Sequence, residues 1–191
     1  MHSKHGLWRL LVGGVVAGLV SVALMSCADS NGATEDRRVQ QGLNSAPVPL
    51  NMTGKDPQQV GLGSYLVNAV GVCNMCHTFP NFAPGGNPFL GQLKQINTTN
   101  YLAGGRAFGT VCSRNITPDP TGKPAGLDLP TFITVMRTGA DVDHPGQLLQ
   151  VMPWSDYQNM TDDDLTAIYA YLSAIPAARP ASGVSGGCIP E

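Results

Sequence analysis

The sequence contains one strong chemical motif, Cys73-Asn74-Met75-Cys76-His77. Two thiols stand three residues apart, and an imidazole follows the second thiol directly. This CxxCH spacing is the attachment signature of a c-type haem, because the thiols can form thioethers with the two vinyl groups and the imidazole can coordinate the iron. We therefore predict one covalently bound haem c, with Cys73 and Cys76 as attachment sites and His77 as an iron ligand.

Two other interpretations of the cysteines remain open from the residues alone. A thioredoxin-type redox site also uses CxxC, but that motif follows a strand, whereas the residues before Cys73 show a helical pattern. A zinc site could instead use the four thiolates of Cys73, Cys76, Cys112 and Cys188. Zinc would leave His77 without a role, and in an exported protein Cys112 and Cys188 are more naturally a disulfide that holds the C-terminal tail.

The N-terminus has the pattern of an export signal. Basic residues precede an uncharged stretch over residues 10–25 that is rich in leucine, valine, alanine and glycine and is short for a membrane span. The stretch ends in Leu24-Met25-Ser26-Cys27, which resembles a bacterial lipobox. We predict a lipoprotein signal peptide over residues 1–26 and lipidation of Cys27, with an uncleaved signal anchor as the alternative. Both place the rest of the chain on a bacterial membrane, facing the periplasm or the cell exterior.

Composition restricts the function and suggests the domain organisation. The 191 residues carry a net charge of −2 and only 13% charged side chains, so there is no basic surface for nucleic acid. Glycine and proline make up a fifth of the chain, which indicates long ordered loops. Residues 27–55 show no sustained helical or strand period and are predicted to be a flexible tether. Residues 56–191 are predicted to form one domain, since that length can bury a single core.

The second iron ligand must come from few candidates. Met152 stands in a non-helical stretch directly before Pro153, and the proline stiffens that loop and disfavours an α conformation at Met152. The thioether would therefore be presented from a fixed backbone. His144 is an alternative ligand, and an open coordination position is a further one.

Three segments have the periodicity and boundary signals of helices. The first covers about residues 57–70, and the second is a short helix over residues 129–138. The third begins at Thr161, an N-cap followed by three aspartates in the first turn, and is stopped by Pro176.

The order of these features resembles the class I cytochrome c domains found beside or within periplasmic and membrane-bound dehydrogenases of bacteria. The matching segments are 63–67, Cys73 to Thr78, 103–105, Asn115 to Asp119, Met152-Pro153-Trp154 and 165–172. The resemblance implies the all-α cytochrome c fold, with a few short helices and long ordered loops around one haem. It also implies that Met152 is the distal ligand opposite His77 and that Asn115 to Asp119 wrap the haem edge.

The same resemblance implies an electron carrier rather than an enzyme. Dehydrogenase subunits of this type often carry three haem domains, whereas this chain has one CxxCH, so it is not a complete subunit of that kind. We expect a membrane-anchored monohaem cytochrome that exchanges electrons with a dehydrogenase, an oxidase or another cytochrome. The alternatives are a haem sensor or peroxidase-type enzyme with a labile sixth ligand, and a structural lipoprotein held by zinc or a disulfide.

Overall fold

The computed structural model describes residues 32–190, so the predicted signal peptide over residues 1–26 and the predicted lipidation of Cys27 lie outside the described residues. The chain divides into two units, Met1–Arg37 and Arg38–Glu191. The described part of the first unit, residues 32–37, is helical. Within residues 32–190, no helix combines the length and hydrophobicity that a membrane crossing requires.

The second unit is mainly helical, with one small hairpin, and its loops are long. The helices are α1 (residues 38–45), α2 (Pro57–Tyr65) with a π-helical turn behind it (Leu66–Val70), α3 (Asn74–His77), α4 (Leu129–Thr138), α5 (Trp154–Tyr157) and α6 (Asp162–Ala174). A 3₁₀ turn covers Pro88–Leu90. The strands β1 (Ala107–Phe108) and β2 (Val111–Cys112) are antiparallel, with Ala107 opposite Cys112. The architecture is therefore the predicted one of short helices joined by long loops.

Side-chain caps mark the beginnings of the three main helices. Asp56 caps α2 and Asp128 caps α4, each by accepting a hydrogen bond from a backbone N–H of the first turn. Thr161 caps α6 through a reciprocal capping box with Asp164. These helix beginnings agree with the sequence prediction. The segment predicted as one helix over residues 57–70 is an α-helix that widens into a π-helical turn at Leu66.

Helices α2 and α6 cross with their backbones in contact, and this crossing forms the centre of the core. A Cβ atom on Gly63 would lie 1.9 Å from the carbonyl oxygen of Ala167, so only glycine permits the approach. Around the crossing, Val60, Val67 and Leu172 are fully buried or nearly so. The crossing fixes the direction in which the chain leaves α2 toward α3, where the CxxCH motif lies.

The tether expected over residues 27–55 is corrected in its second half, because residues 38–55 belong to the second unit and 38–45 are helical. Val39 is 2% exposed, and the Gly42 carbonyl accepts a 2.7 Å hydrogen bond from the Ser64 hydroxyl. A Cβ atom on Gly42 would lie 1.9 Å from the Gly61 carbonyl oxygen. Because this contact uses glycines, it leaves little hydrophobic periodicity for sequence analysis to detect.

Candidate haem-binding site

A largely apolar cavity of about 880 Å³ lies beside the α2–α6 crossing. Its size lies within the range of roughly 300–1,000 Å³ in which proteins enclose cofactors. All four predicted haem-binding side chains line it, namely Cys73, Cys76, His77 and Met152. Its apolar walls include Leu66, Val67, Ile116, Phe132, Met136, Ile168 and Leu172. Two thiols, an imidazole and a thioether around an apolar cavity fit a c-type haem.

The imidazole of His77 is oriented by the backbone of a distant loop. Its Nδ1 lies 2.8 Å from the carbonyl oxygen of Arg114. A carbonyl can only accept, so Nδ1 carries the proton and Nε2 keeps the lone pair that a metal needs. Burial also lowers the pKa of His77, which favours the same neutral form. The Gly104 N–H donates to the His77 carbonyl at 2.6 Å and anchors the end of α3.

The two thiols of the motif stand on the first turn of a short helix. The Cys73 N–H donates to the Val67 carbonyl at 3.0 Å, which joins the beginning of α3 to the π-helical turn behind α2. Burial, with a smaller contribution from the nearby Cys76, raises the pKa of the Cys73 thiol to about 12. Thioredoxin-type cysteines have a lowered pKa, so this environment argues against the thiol–disulfide redox alternative.

Two polar side chains that sequence analysis missed hold the motif in place. The side-chain amide of Asn81 donates to the carbonyls of Asn74 and Met75, at 2.7 and 2.9 Å. The hydroxyl of Thr78 is fully buried and accepts a 2.9 Å hydrogen bond from the Leu102 N–H. Asparagine and threonine are common in loops, so nothing local in the sequence distinguishes these two from solvated residues.

Met152 lines the cavity from a loop that Trp154 anchors. Met152 is partly buried and packs against the core. The Trp154 N–H donates to the Met152 carbonyl at 2.8 Å, and its indole N–H donates to the Leu149 carbonyl at 3.2 Å. The indole packs over Gly139, where a Cβ atom would lie 2.2 Å from the ring. The Met-Pro-Trp segment thus fixes the backbone of the predicted distal ligand.

His144, the alternative ligand, lies at the mouth of the same cavity. Its side chain is half-exposed, and its Nδ1 lies 3.2 Å from the carboxylate of Asp141. Met152 packs with the apolar core, whereas His144 pairs with a carboxylate at the surface. The two environments therefore favour Met152 as the ligand inside the cavity.

Cys112 and Cys188 form a disulfide with an S–S distance of 2.05 Å. Two of the four thiols that the zinc alternative requires are therefore already bonded to each other. Among residues 32–190, no three histidine, cysteine or acidic side chains converge as a metal site would require.

The segment predicted to wrap the haem edge is fixed by its own side chains. The Asn115 side-chain amide donates to the Ala178 carbonyl at 2.9 Å, and its oxygen accepts from the Thr117 N–H at 2.9 Å. Between them, Ile116 lines the cavity. Ile116 therefore forms part of the cavity wall, held by the hydrogen bonds of its two neighbours, and Arg114 supplies the carbonyl that orients His77.

Comparison with known proteins identifies relatives of the same kind. The chain is 32% identical over 147 residues to the cytochrome c subunit of the quinone-dependent alcohol dehydrogenase of Gluconacetobacter polyoxogenes, covering 72% of this chain and 29% of that protein. It is 33% identical over 110 residues to the gluconate 2-dehydrogenase cytochrome c subunit of Pantoea cypripedii, covering 58% and 22%. It is 33% identical over 117 residues to the fructose dehydrogenase cytochrome subunit of Gluconobacter japonicus, covering 59% and 20%. No protein-family model matches.

These similarities and the helical architecture establish the class of the domain. The chain contains a cytochrome c domain with the cytochrome c fold, and its homologues are cytochrome c subunits of dehydrogenases. It spans less than a third of the length of these cytochrome c subunits. The relatives imply haem c as the cofactor, and the lining of the cavity agrees with it.

Proposed function

We propose that this chain is an exported, lipid-anchored electron-transfer cytochrome that carries one covalently bound haem c. Cys73 and Cys76 would hold it through thioethers, and His77 and Met152 would ligate its iron. The observation that carries the proposal is that one apolar cavity is lined by all four of these side chains.

The cofactor would supply a one-electron Fe(II)/Fe(III) couple, and the protein supplies its environment. The Arg114 carbonyl keeps the proton of His77 on Nδ1, which makes Nε2 the electron-pair donor. The thioether of Met152, as an iron ligand, would favour Fe(II) and would raise the reduction potential relative to a second histidine. The apolar walls exclude water from the centre of the cavity. With His77 and Met152 both bound to the iron, no substrate would bind there.

The relatives suggest the kind of redox partner. Cytochrome c subunits of alcohol, gluconate and fructose dehydrogenases are among the similar proteins. We propose a dehydrogenase as the donor and an oxidase or another cytochrome as the acceptor. The lipobox-like sequence ending at Cys27 supports attachment to a bacterial membrane from the periplasmic or outer side. A tethered carrier would meet both partners at a raised effective concentration.

The test is to produce the full chain in a host that matures c-type haem and to record visible spectra in both oxidation states. We expect low-spin spectra, a weak methionine-to-iron band in the oxidised form, and haem that stays with the polypeptide on a denaturing gel. Mass spectrometry of the membrane fraction should find a lipid on Cys27. The Cys27→Ser variant is the matched control for the anchor, since it should keep the haem and lose the lipid.

Other outcomes would favour the alternatives. A high-spin spectrum with rapid cyanide or CO binding would support the sensor or peroxidase-type function with a labile sixth ligand. A colourless protein would contradict the haem assignment and return Cys73 and Cys76 to another role.

A further inference from the structure

The last residues of the chain cross one wall of the candidate haem cavity. We define residues 178–190 as the C-terminal strap. Its final residues, Cys188, Ile189 and Pro190, line the same cavity as His77. Ile189 is 69% exposed, so it stands at the mouth of the cavity rather than in the core. The strap therefore forms a rim between the cavity and solvent.

Hydrogen bonds fix the first part of the strap without help from the disulfide. The side-chain amide of Asn115 donates to the Ala178 carbonyl, and that of Asn100 donates to the Arg179 carbonyl at 2.7 Å. Thr117 Oγ1 accepts a 3.1 Å hydrogen bond from the Ala178 N–H. The beginning of the strap is thus tied to the 115–117 segment of the cavity wall.

The end of the strap is held mainly by the disulfide and one short backbone ladder. The Cys188 N–H donates to the Gly105 carbonyl at 3.0 Å, and the Ala107 N–H donates to the Gly186 carbonyl at 3.4 Å. Phe79 packs beneath the turn, because a Cβ atom on Gly187 would lie 3.1 Å from its ring. These contacts are few for a segment that lines a cavity, so the covalent bond to Cys112 is the strongest restraint.

The same disulfide is connected to the group that orients His77. Cys112 lies two residues before Arg114, whose carbonyl accepts the hydrogen bond from His77 Nδ1. Gly105 joins the two segments, since its N–H donates to the Ser113 carbonyl at 3.0 Å and its carbonyl accepts from the strap. The strap, Gly105 and the 112–114 segment therefore form one hydrogen-bonded unit behind the imidazole.

We propose that the Cys112–Cys188 disulfide is a positioning element of the haem site, which clamps the strap over the His77 side. The clamp keeps water from the haem edge there and holds the Arg114 carbonyl against His77. Exclusion of water raises the reduction potential, because water at the haem edge stabilises the charged ferric form. The held carbonyl keeps the orientation of the imidazole fixed. This inference rests on the proposed function, since it requires a haem in the cavity.

The test compares the full-length holoprotein with its Cys112→Ser/Cys188→Ser variant after both are shown to be folded and to carry covalent haem. At a fixed ambient potential, we expect the ratio of reduced to oxidised variant to fall by roughly threefold to tenfold, tenfold being about 59 mV for a one-electron couple. Reduction of the ferric haem by a hydrophilic reagent such as ascorbate should become several-fold faster per unit driving force. A disulfide that only stabilises the fold would lower the unfolding midpoint and leave both quantities unchanged, which would overturn the inference.

A second pair of variants keeps the disulfide intact and covers the case in which the double variant does not fold. Ile189→Ser should lower the same ratio and speed reduction, because Ile189 lines the cavity. Val184→Ser is the matched control, as another exposed aliphatic side chain of the strap that does not line the cavity. Equal behaviour of these two variants would contradict the inference. A wild-type chain without haem would overturn the proposed function and the inference together, whereas haem with unchanged potentials would overturn only the inference.

Discussion

On the His77 side of the cavity the proposed iron ligand belongs to a short helix that buried hydrogen bonds hold at several points. On the Met152 side the proposed ligand belongs to a long surface loop. The His77 side is fixed by Asn81, Thr78 and the Arg114 carbonyl. The loop that leads to Met152 contains exposed apolar residues, among them Val142, Leu148 and Val151. Segments with few buried contacts open first, so we expect the Met152 side to be the side at which the site opens.

The largest effect should come from removing the covalent attachment. In Cys73→Ser/Cys76→Ser the cofactor can be held only by coordination and packing, so we expect no haem on the polypeptide after denaturing electrophoresis. Cys112→Ser/Cys188→Ser is the matched control, since it removes the other two thiols and should retain the haem stain. Haem staining of the first variant equal to wild type would contradict the attachment sites.

The rigidity of the His77 side can be tested at Gly104. Its φ is +74°, and a Cβ atom there would lie 2.3 Å from the Ser113 carbonyl oxygen, so Gly104→Ala adds a steric clash to backbone strain. We expect the free energy of unfolding to fall by about 2–4 kcal/mol, from overpacking and strain together. Gly109→Ala is the control, because Gly109 has φ +63° and open space around it. Gly109→Ala should lower the free energy of unfolding by only about 1–2 kcal/mol. Equal losses for the two variants in chemical denaturation would contradict a rigid backbone on the His77 side.

The next effect tests whether Met152 is the second iron ligand. Met152→Ala removes the thioether, so the reduced-to-oxidised ratio at a fixed ambient potential should fall about tenfold or more, which is about 59 mV or more for one electron. Carbon monoxide should then bind the reduced protein. Met160→Ala is the control, because Met160 also lines the cavity. A larger potential shift in that control than in Met152→Ala would mean that Met152 is the wrong methionine.

The smallest effect concerns α4. Gly139 follows this helix directly and packs against Trp154, so α4 supports the Met152 loop. Hydrogen bonds from Thr131 hold the pKa of the Asp128 carboxyl below its ordinary value. Stability linked to this charge is therefore present above the unfolded-state pKa of about 3.9, and is lost as the pH falls through the lower folded-state value. Asp128→Asn should lower the thermal midpoint slightly at pH 7, and the difference should disappear once the pH lies below the folded-state pKa of Asp128. A pH-independent difference between the two proteins would contradict this linkage.

Features formed by residues close together in the sequence could be predicted, whereas contacts between distant residues could not. The CxxCH motif, the N-cap at Thr161 and the range of the short helix over residues 129–138 are local patterns, and sequence analysis finds them where the structure has them. Pro176 likewise predicts the end of α6, which the structure places at Ala174. The cytochrome c fold was reached through a resemblance, and the similarity to dehydrogenase cytochrome subunits supports it.

What was missed depends on contacts between distant residues. The Arg114 carbonyl is a backbone group 37 residues from His77, and no side-chain pattern indicates it. The contact of α1 with α2 uses Gly61 of the predicted first helix and Gly42, which sequence analysis placed in the tether. The predicted tether was therefore too long, since burial of Val39 depends on a partner helix that local periodicity does not reveal.

The central claim is that a haem lies between His77 and Met152, and proton NMR of the fully reduced holoprotein tests it most directly. A methionine bound to the iron has its methyl group over the face of the porphyrin, where the ring current moves the resonance far upfield. We predict one such three-proton signal in the wild type and in Met160→Ala, and none in Met152→Ala. Its absence from the wild type, or its persistence in Met152→Ala, would contradict the claim.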